Sequence, residues 1–410
     1  MNRAALDGSA ARPYRPARAS RATHPAAVGP LALTAGRWTY FATCAPGVEP
    51  ILHDEVRALG LATVERQVGG VRFDGTMRDA WRANLWLRTA VRVLRREARF
   101  EAASEGALDR GIGEIDWSRF VASDGTLWID AQTRESSLDH SRYLAQRIKD
   151  VIVDQVRAGD GTRPDVDRES AAVRVHLHLF RDRATLSVDT SGASLHRRGW
   201  RTAQGRAPLA ETLAAAIVLR SGWNRRAPLV DPFCGTGTVL VEGGLIAANL
   251  APGLTRERFG FERWRGHDAA GWAAAREEAR AAARIPKKLR LVGSDVVPAR
   301  LEEARAHLEA VGLGHLARLE VADAREFAPR PGWNATVLSN LPYGERVGDD
   351  VEALHGAFGE RLRALDGYSV ALLTGSSRLA GLLRLSRAER HRILNGGIEC
   401  QLVTARIGGE

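Results

Sequence analysis

Three short segments of this 410-residue chain place polar side chains directly after apolar runs. The first, Asp231-Pro232-Phe233-Cys234-Gly235-Thr236-Gly237-Thr238, lies between a predicted strand, Pro228–Val230, and a helix. Glycines in such a turn let the backbone approach a ligand without a Cβ clash. The N–H groups that open the following helix favour an anion or carboxylate. A lone Gly-x-Gly would suit any tight strand-to-helix turn, but the pattern recurs. Leu291-Val292-Gly293-Ser294 ends in Asp295, suited to a ribose diol, and Leu319-Glu320-Val321-Ala322 ends in Asp323, suited to accept from an adenine amino group. Either aspartate alone would read as a helix cap. Ligands of open α/β sheets bind beyond the carboxyl ends of the strands. Three polar ends at one crevice therefore describe an adenosine with a charged tail, with Asp231, Phe233, Gly235, Gly237, Thr238, Asp295 and Asp323 as its candidate contacts.

A fourth segment, Ser339-Asn340-Leu341-Pro342-Tyr343-Gly344, ends a further strand. It resembles the motif of class I methyltransferases that act on exocyclic amines: Asn or Asp, Pro or Leu, Pro, then an aromatic residue. The resemblance implies S-adenosyl-L-methionine as cofactor and Asn340, Leu341, Pro342 and Tyr343 as the catalytic set. The lone pair of an aniline-like amine is delocalised into its ring. The Asn340 side-chain oxygen and the Leu341 carbonyl can accept the two amine hydrogens, which holds the nitrogen near the methyl group and favours localisation of the lone pair. Proline removes a competing backbone donor. Tyr343 can stack on a flipped base, a contact worth ~1–3 kcal/mol in other systems. Positioning then carries an in-line transfer to nitrogen.

The elements that must hold these segments fall into two styles. From Leu209 onward, near-continuous apolar strands alternate with helices, the mark of a parallel sheet buried on both faces. The strands are Pro228–Val230, Leu289–Gly293, Ala317–Val321, Ala335–Ser339 and Ser369–Leu373; Gly271–Arg284 and Pro298–Val311 are helices. The end, Arg390–Leu394 and Ile398–Ile407, reads as a hairpin across Asn395-Gly396-Gly397. Before Leu209 the elements are short. Trp38–Ala42 reads as strand, Val48, Ile51, Leu52 and Leu59 share a helical face, and Thr63–Phe73 is a hairpin broken at Gly69-Gly70. Thr76–Arg88 is helical and Val91–Phe100 extended. A second small module follows between Trp128 and Gly192. Leu144, Ile148, Val151 and Ile152 form a helical stripe. Val173–Leu179 and Ala184–Val188 alternate apolar with polar residues around an Arg181-Asp182-Arg183 turn. His176 and His178 share the polar face; with no third ligand evident, a solvated or RNA-facing strand is expected there, and no metal site.

The formal net charge is +10, which favours polyanionic partners and nucleic acid first. Only Lys149, Lys287 and Lys288 are lysines, so the basic charge is nearly all arginine. Cys44, Cys234 and Cys400 are far apart and form no CxxC pair, which indicates neither zinc nor a disulfide framework and fits a reducing cytoplasm. No apolar run is long enough for a membrane helix. Residues 1–36, rich in Ala, Arg and Pro, are expected to be a disordered basic tail.

The resemblance narrows along the chain. Asp231 to Glu242 is similar to the signature of methyltransferases joined to a THUMP RNA-binding domain. Leu195–Arg201, Ala207–Ala216 (which adds Thr212 to the implied cofactor contacts), Ser221-Gly222-Trp223, Ala251–Leu254 and Arg163–Arg168 continue the likeness. The chain resembles the bacterial 23S rRNA guanine-N2 methyltransferase family over nearly its whole length past the tail. That implies an α/β fold: a Rossmann-like class I methyltransferase domain (193–410) preceded by a ferredoxin-like region (37–79) and a THUMP domain (80–192). It also implies RNA as partner and methylation of guanosine N2. Two departures stand out. Leu341 replaces the family's common Pro, as in THUMP enzymes making the same product in tRNA. Some members also carry a second methyltransferase domain making 7-methylguanosine; with the chain stopping at Glu410, that activity is expected to be absent. The rivals are a tRNA guanine-N2 enzyme, a DNA adenine-N6 methyltransferase and a non-catalytic RNA-binding assembly factor. Residues 36–192 are expected to bind RNA through shape and phosphate, with Arg142, Arg147 and Lys149 as a candidate phosphate face, and the catalytic domain alone is not expected to choose its target.

Overall fold

The computed structural model describes residues 36–122, 124–160, 163–201, 209–343 and 351–408. Of the expected tail only Gly36 is among them, and Ala207, Pro208 and Gly344 of the segments quoted above also lie outside the described residues.

The first half is built on one eight-stranded sheet: β1 (Trp38–Thr43), β2 (Ala62–Gln67), β3 (Gly70–Gly75), β4 (Arg92–Glu101), β5 (Thr126–Arg134), β6 (Asp165–Val166), β7 (Val173–Phe180) and β8 (Arg183–Asp189), in the order β2-β3-β1-β4-β8-β7-β5-β6. Strand β4 pairs antiparallel with β1 on one side and with β8 on the other, so one sheet runs through both small modules. Helices α1 (Glu49–Ala58), α2 (Met77–Trp86), α3 (Glu105–Gly113) and α4 (Ser141–Asp160) belong to this half. Local chemistry explains their ends. Thr76 caps α2 and Asp79 reaches back to the Thr76 N–H, a reciprocal capping box. The β7–β8 turn has two residues, Arg181 and Asp182, both with positive φ, as a type I′ hairpin requires. Buried Val173, Val175, Leu177 and Leu179 alternate with Arg174, His176 and His178, as the sequence pattern predicts.

The second half carries a seven-stranded sheet: β9 (Leu229–Asp231), β10 (Leu291–Asp295), β11 (Ala317–Val321), β12 (Thr336–Asn340), β13 (Tyr368–Thr374), β14 (Glu389–Asn395) and β15 (Ile398–Ile407). The order is β11-β10-β9-β12-β13-β15-β14, with β9 to β13 parallel and β15 antiparallel to β13. Helices α5 (Glu211–Arg220), α6 (Thr238–Ala247), α7 (Ala269–Ala281), α8 (Pro298–Ala310), α9 (Val351–Arg363) and α10 (Ser377–Leu382) accompany it. β9 and β13 are buried almost throughout, as a two-faced parallel sheet demands. The order reverses between β9 and β12, and such a switch point opens a crevice at the strands' carboxyl ends.

Three strands sit slightly later than the sequence pattern places them. β9 and β12 are displaced by one residue, and β10 ends at Asp295, two residues beyond the expected Gly293. In-register parallel pairing sets these limits: Gly293 lies opposite Asp231, and Asp295 opposite Val321. Asp231, Asp295 and Asn340 thereby become the last residues of their strands. No helix among the described residues is long and apolar enough to cross a membrane.

Candidate active site

The crevice is organised by Asp231. Its carboxylate is 1% exposed, and its Oδ1 accepts from the Ser339 hydroxyl at 2.6 Å and from the Phe233 N–H at 3.2 Å. One side chain thus ties the end of β9 to the end of β12. Burial pushes its pKa up to about 7, opposed by those two hydrogen bonds and reinforced by the neighbouring Asp295 charge.

The two glycines of the loop have different reasons. Gly235 adopts φ +51°, and a Cβ there would meet nothing within 4 Å, so its face opens onto free space. Gly237, at φ +78°, caps α6, and a Cβ there would lie 2.9 Å from the Ala304 Cβ. Close packing of α8 therefore excludes a side chain at Gly237, while at Gly235 there is room for a ligand. Asp295 fixes the loop from the next strand: Oδ2 accepts from Gly235 N–H at 3.0 Å and Oδ1 from Val297 N–H at 2.9 Å. The Thr236 carbonyl meets buried His307 Nδ1 of α8 at 3.0 Å.

Asp323 lies two residues past β11. Its Oδ1 accepts from the Arg325 N–H, and its Oδ2 takes the Arg325 guanidinium at 2.6 Å, which holds the carboxyl below its ordinary range. Three apolar side chains flank these carboxylates yet stay open to solvent: Val296, Val297 and Val321. Exposed valines beside Asp295 and Asp323 suit the faces of a planar ring. The sequence signal was available, as an apolar residue immediately following Asp295, but was not read.

Thr212 is buried near the start of α5, which packs on α6. Its neighbour Glu211 pairs with Arg201 at 2.7 Å, and Arg201 also donates to the Leu209 carbonyl and to the hydroxyls of Thr238 (3.0 Å) and Thr236 (3.4 Å). Arg201 therefore joins α5 to the glycine loop, a clamp not foreseen although the residue stands in a quoted motif. Phe233 meets Phe358 of α9 edge-on at 5.0 Å.

The motif after β12 is held from both sides. The Leu341 N–H donates to the Leu373 carbonyl at 2.9 Å, and its side chain is buried beside Phe358 and Leu362. The Tyr343 hydroxyl accepts from Asn395 Nδ2 at 2.7 Å, and burial raises its pKa. Its ring lies against Gly375: a Cβ there would come within 2.6 Å of it. Asn395, from the tip of the β14–β15 hairpin, and Gly375, just past β13, thus fix the Tyr343 side chain, contacts that sequence reasoning missed. Asn340 differs from its neighbours. Its Oδ1 is buried and has no hydrogen-bond partner among the described residues. Buried polar oxygens are nearly always paired, so this acceptor is an exception that a ligand donor would resolve.

The candidate phosphate face on α4 is corrected. Arg147 is bound to Asp109 and Glu105 of α3, and Lys149 pairs with Asp150. Two of its three cations are therefore already neutralised. His176 lies between Asp130 (3.9 Å) and Asp189 (3.7 Å), and no cluster of three or more His, Cys, Asp or Glu able to hold a metal occurs among the described residues.

Comparison with known proteins agrees with this geometry. Residues 198–404 match the family described as RMKL-like, methyltransferase domain; residues 39–94 match an RlmL ferredoxin-like domain and 102–189 a THUMP domain. Ribosomal RNA large subunit methyltransferase K/L of Syntrophotalea carbinolica is 40% identical over 380 residues, covering 90% of this chain and 53% of that protein. Its Pseudomonas putida counterpart is 39% identical over 383 residues, 90% of this chain and 52% of that one. The chain spans about half the length of these curated relatives. Among solved structures, SMU.472, designated a methyltransferase and complexed with SAH, superposes with a TM-score of 0.82 at 30% identity, covering 91% of this chain and 99% of the other. A Listeria monocytogenes chain designated an N6-adenine-specific DNA methylase gives 0.81 at 29%, covering 91% and 97%. The chain belongs to the RMKL-like methyltransferase family, an S-adenosylmethionine-dependent class, with ferredoxin-like and THUMP domains ahead of its catalytic domain.

Proposed function

We propose that the protein methylates the exocyclic N2 amine of a guanosine in RNA, with large-subunit ribosomal RNA as substrate and S-adenosylmethionine as donor. The observation that carries this reading is the buried Asn340 Oδ1 at the end of β12, unpartnered among the described residues. An exocyclic amine supplies the donor this atom lacks. The Leu341 carbonyl takes the second amine hydrogen, its peptide held by the bond to Leu373, and Tyr343, fixed by Asn395 and Gly375, gives the base a face to stack on. When bound, the donor would supply an electrophilic methyl group on a sulfonium, with a neutral thioether as leaving group, to the amine nitrogen that Asn340 and the Leu341 carbonyl hold. Asp295 and Asp323 bind the adenosine portion, with Val296 and Val321 against the ring. Gly235 admits the donor's backbone contacts, and Asp231, Phe233, Gly237, Thr238 and Thr212 shape the floor of that pocket.

The ribosomal assignment draws on the relatives' name and on the THUMP match. The Asn-Leu-Pro sequence and the Listeria neighbour keep a tRNA guanine and a DNA adenine as rivals. The test is methyl transfer from labelled donor to ribosomal RNA, total tRNA and double-stranded DNA, followed by nucleoside mass spectrometry. N2-methylguanosine from ribosomal RNA is expected; N6-methyladenine as sole product would replace the proposal.

A further inference from the structure

A cavity rich in aromatic side chains lies outside the methyl-transfer crevice. It measures about 420 Å³ and is walled by Trp38 of β1, Trp81 of α2, Phe120, Phe261 and Trp264, with Arg95 of β4 in its floor. Its volume falls in the range of ligand pockets, roughly 300–1,000 Å³. The walls come from both small modules and from the segment that precedes α7.

Two features of this cavity ask for a ligand of defined chemistry. Trp81 is 3% and Trp264 8% exposed, and neither indole N–H has a hydrogen-bond partner among the described residues. A buried indole N–H usually finds an acceptor, and two of the four that lack one among the described residues line this one cavity. Secondly, the Arg95 guanidinium is buried and sits 4.7 Å from the Trp38 ring, 4.8 Å from Phe120 and 5.0 Å from Trp264. Its Nε is held by Glu97 at 2.5 Å. Three rings are thereby locked around one fixed planar cation. An aliphatic occupant would leave both indole donors unsatisfied, and a bare anion would not use the rings. A planar heterocycle with ring-nitrogen or carbonyl acceptors satisfies both. In single-stranded RNA such groups are the unstacked bases, which proteins hold on aromatic and Arg planes. Exposed Arg119 on the rim suits the attached phosphate.

We propose that this cavity receives one unstacked base of the RNA substrate, away from the base that is methylated. The proposal rests on the RNA reading above. The test uses the full chain and fluorescence anisotropy with three probes: a labelled 12-nucleotide single-stranded RNA of mixed sequence, an abasic strand with the same ribose-phosphate backbone, and a blunt RNA duplex of equal length. Trp38→Ala removes one stacking face. Trp264→Phe keeps the packing but deletes an indole N–H, and serves alone if Trp38→Ala does not fold. Each variant should bind the base-bearing strand at least fivefold more weakly, and the abasic strand and duplex within twofold of the parent. Equal losses on base-bearing and abasic strands, or no loss on either, would overturn the proposal. Donor affinity and methylation by the parent separate the two levels. If the parent methylates RNA while both variants bind all probes normally, only the cavity assignment falls. If the parent neither binds nor methylates RNA, the RNA reading falls with it.

Discussion

Replacing Asn340 by alanine should uncouple stability from turnover. Asn340 Oδ1 is buried without a partner among the described residues, and an unpaired buried acceptor costs roughly 1–3 kcal/mol. Truncation removes that oxygen and a few packing contacts together, so the two effects offset. The melting temperature is expected to stay within about 3 °C or to rise, since 1 kcal/mol moves it by only ~2–4 °C in domains of this size. Turnover behaves differently. As the amine nitrogen takes up the methyl group it becomes cationic, and a hydrogen bond to a charged group contributes about 1.5–3 kcal/mol. At about 1.4 kcal/mol per tenfold, kcat should fall roughly 10- to 150-fold. Because the interaction is realised mainly in the transition state, donor affinity should change less than twofold. Asn340→Asp, which keeps an acceptor at that position, should retain more activity than Asn340→Ala. The assays are labelled-methyl transfer at saturating RNA, isothermal titration with the donor, and thermal unfolding. Turnover within threefold of the parent would refute the amine-holding role. A melting temperature lowered by more than about 5 °C, with donor binding lost, would show that Asn340 is structural.

Gly375→Ala places a methyl group 2.6 Å from the Tyr343 ring, so the ring must move; kcat should drop at least about tenfold with donor binding unchanged by titration. Asp295→Ala and Asp323→Ala should each weaken donor binding about tenfold or more. Asp295 should show the larger loss, because it also holds Gly235 and Val297; equal affinity in folded variants would withdraw the assignment. The Asp231 pKa is about 7 in the folded chain against about 3.9 when unfolded. The folded state therefore binds the extra proton between those values, and the stability this confers is complete below pH ~4 and lost as pH rises through 7. Melting temperatures between pH 5.5 and 8 should fall more steeply for the parent than for Asp231→Asn; parallel curves would contradict this. A fragment beginning at residue 193 should be poorly folded, because Arg198 would lose the Arg88 carbonyl and Arg256 the Ser191 carbonyl; a soluble, donor-binding fragment in a titration would show otherwise.

Much of the catalytic half is legible in the chain because its signals are local. Apolar strand cores followed by Asp or Asn mark β9, β10 and β12 to within two residues, and Gly396-Gly397 marks the last hairpin. What escapes is set by contacts distant in sequence. Tyr343 and Asn395 are 52 positions apart, and neither residue type predicts the other. Arg201 reaches Thr238 only because α5 packs on α6. The basic stripe of α4 reads as a phosphate surface until α3, absent from the sequence pattern, brings Asp109 and Glu105 to Arg147. The aromatic cavity draws on residues 38, 81, 120, 261 and 264, each an ordinary core aromatic in its own segment.

The same long-range contacts determine how the first half can influence chemistry in the second. Helix α6 carries the glycine loop at its N-terminus, and its other end is gripped by the first half. Buried Arg88, just after α2, donates to the Leu245 and Leu250 carbonyls, and its own N–H donates to Glu55. Arg198 bridges the Arg88 carbonyl and Glu242 of α6. Burial lowers the Arg88 pKa to about 10 and raises that of Glu242. Breaking one partner of a buried charge pair is strongly destabilising, by ~3–5 kcal/mol, so the network resists sliding or hinging at this junction. On the RNA reading proposed above, an RNA held by the first half would be presented at a fixed distance from the β12 motif. Target choice on this view follows from geometry: the nucleotide methylated is the one whose backbone path from the bound segment ends at Asn340, and a motif that reads only an exocyclic amine is sufficient there.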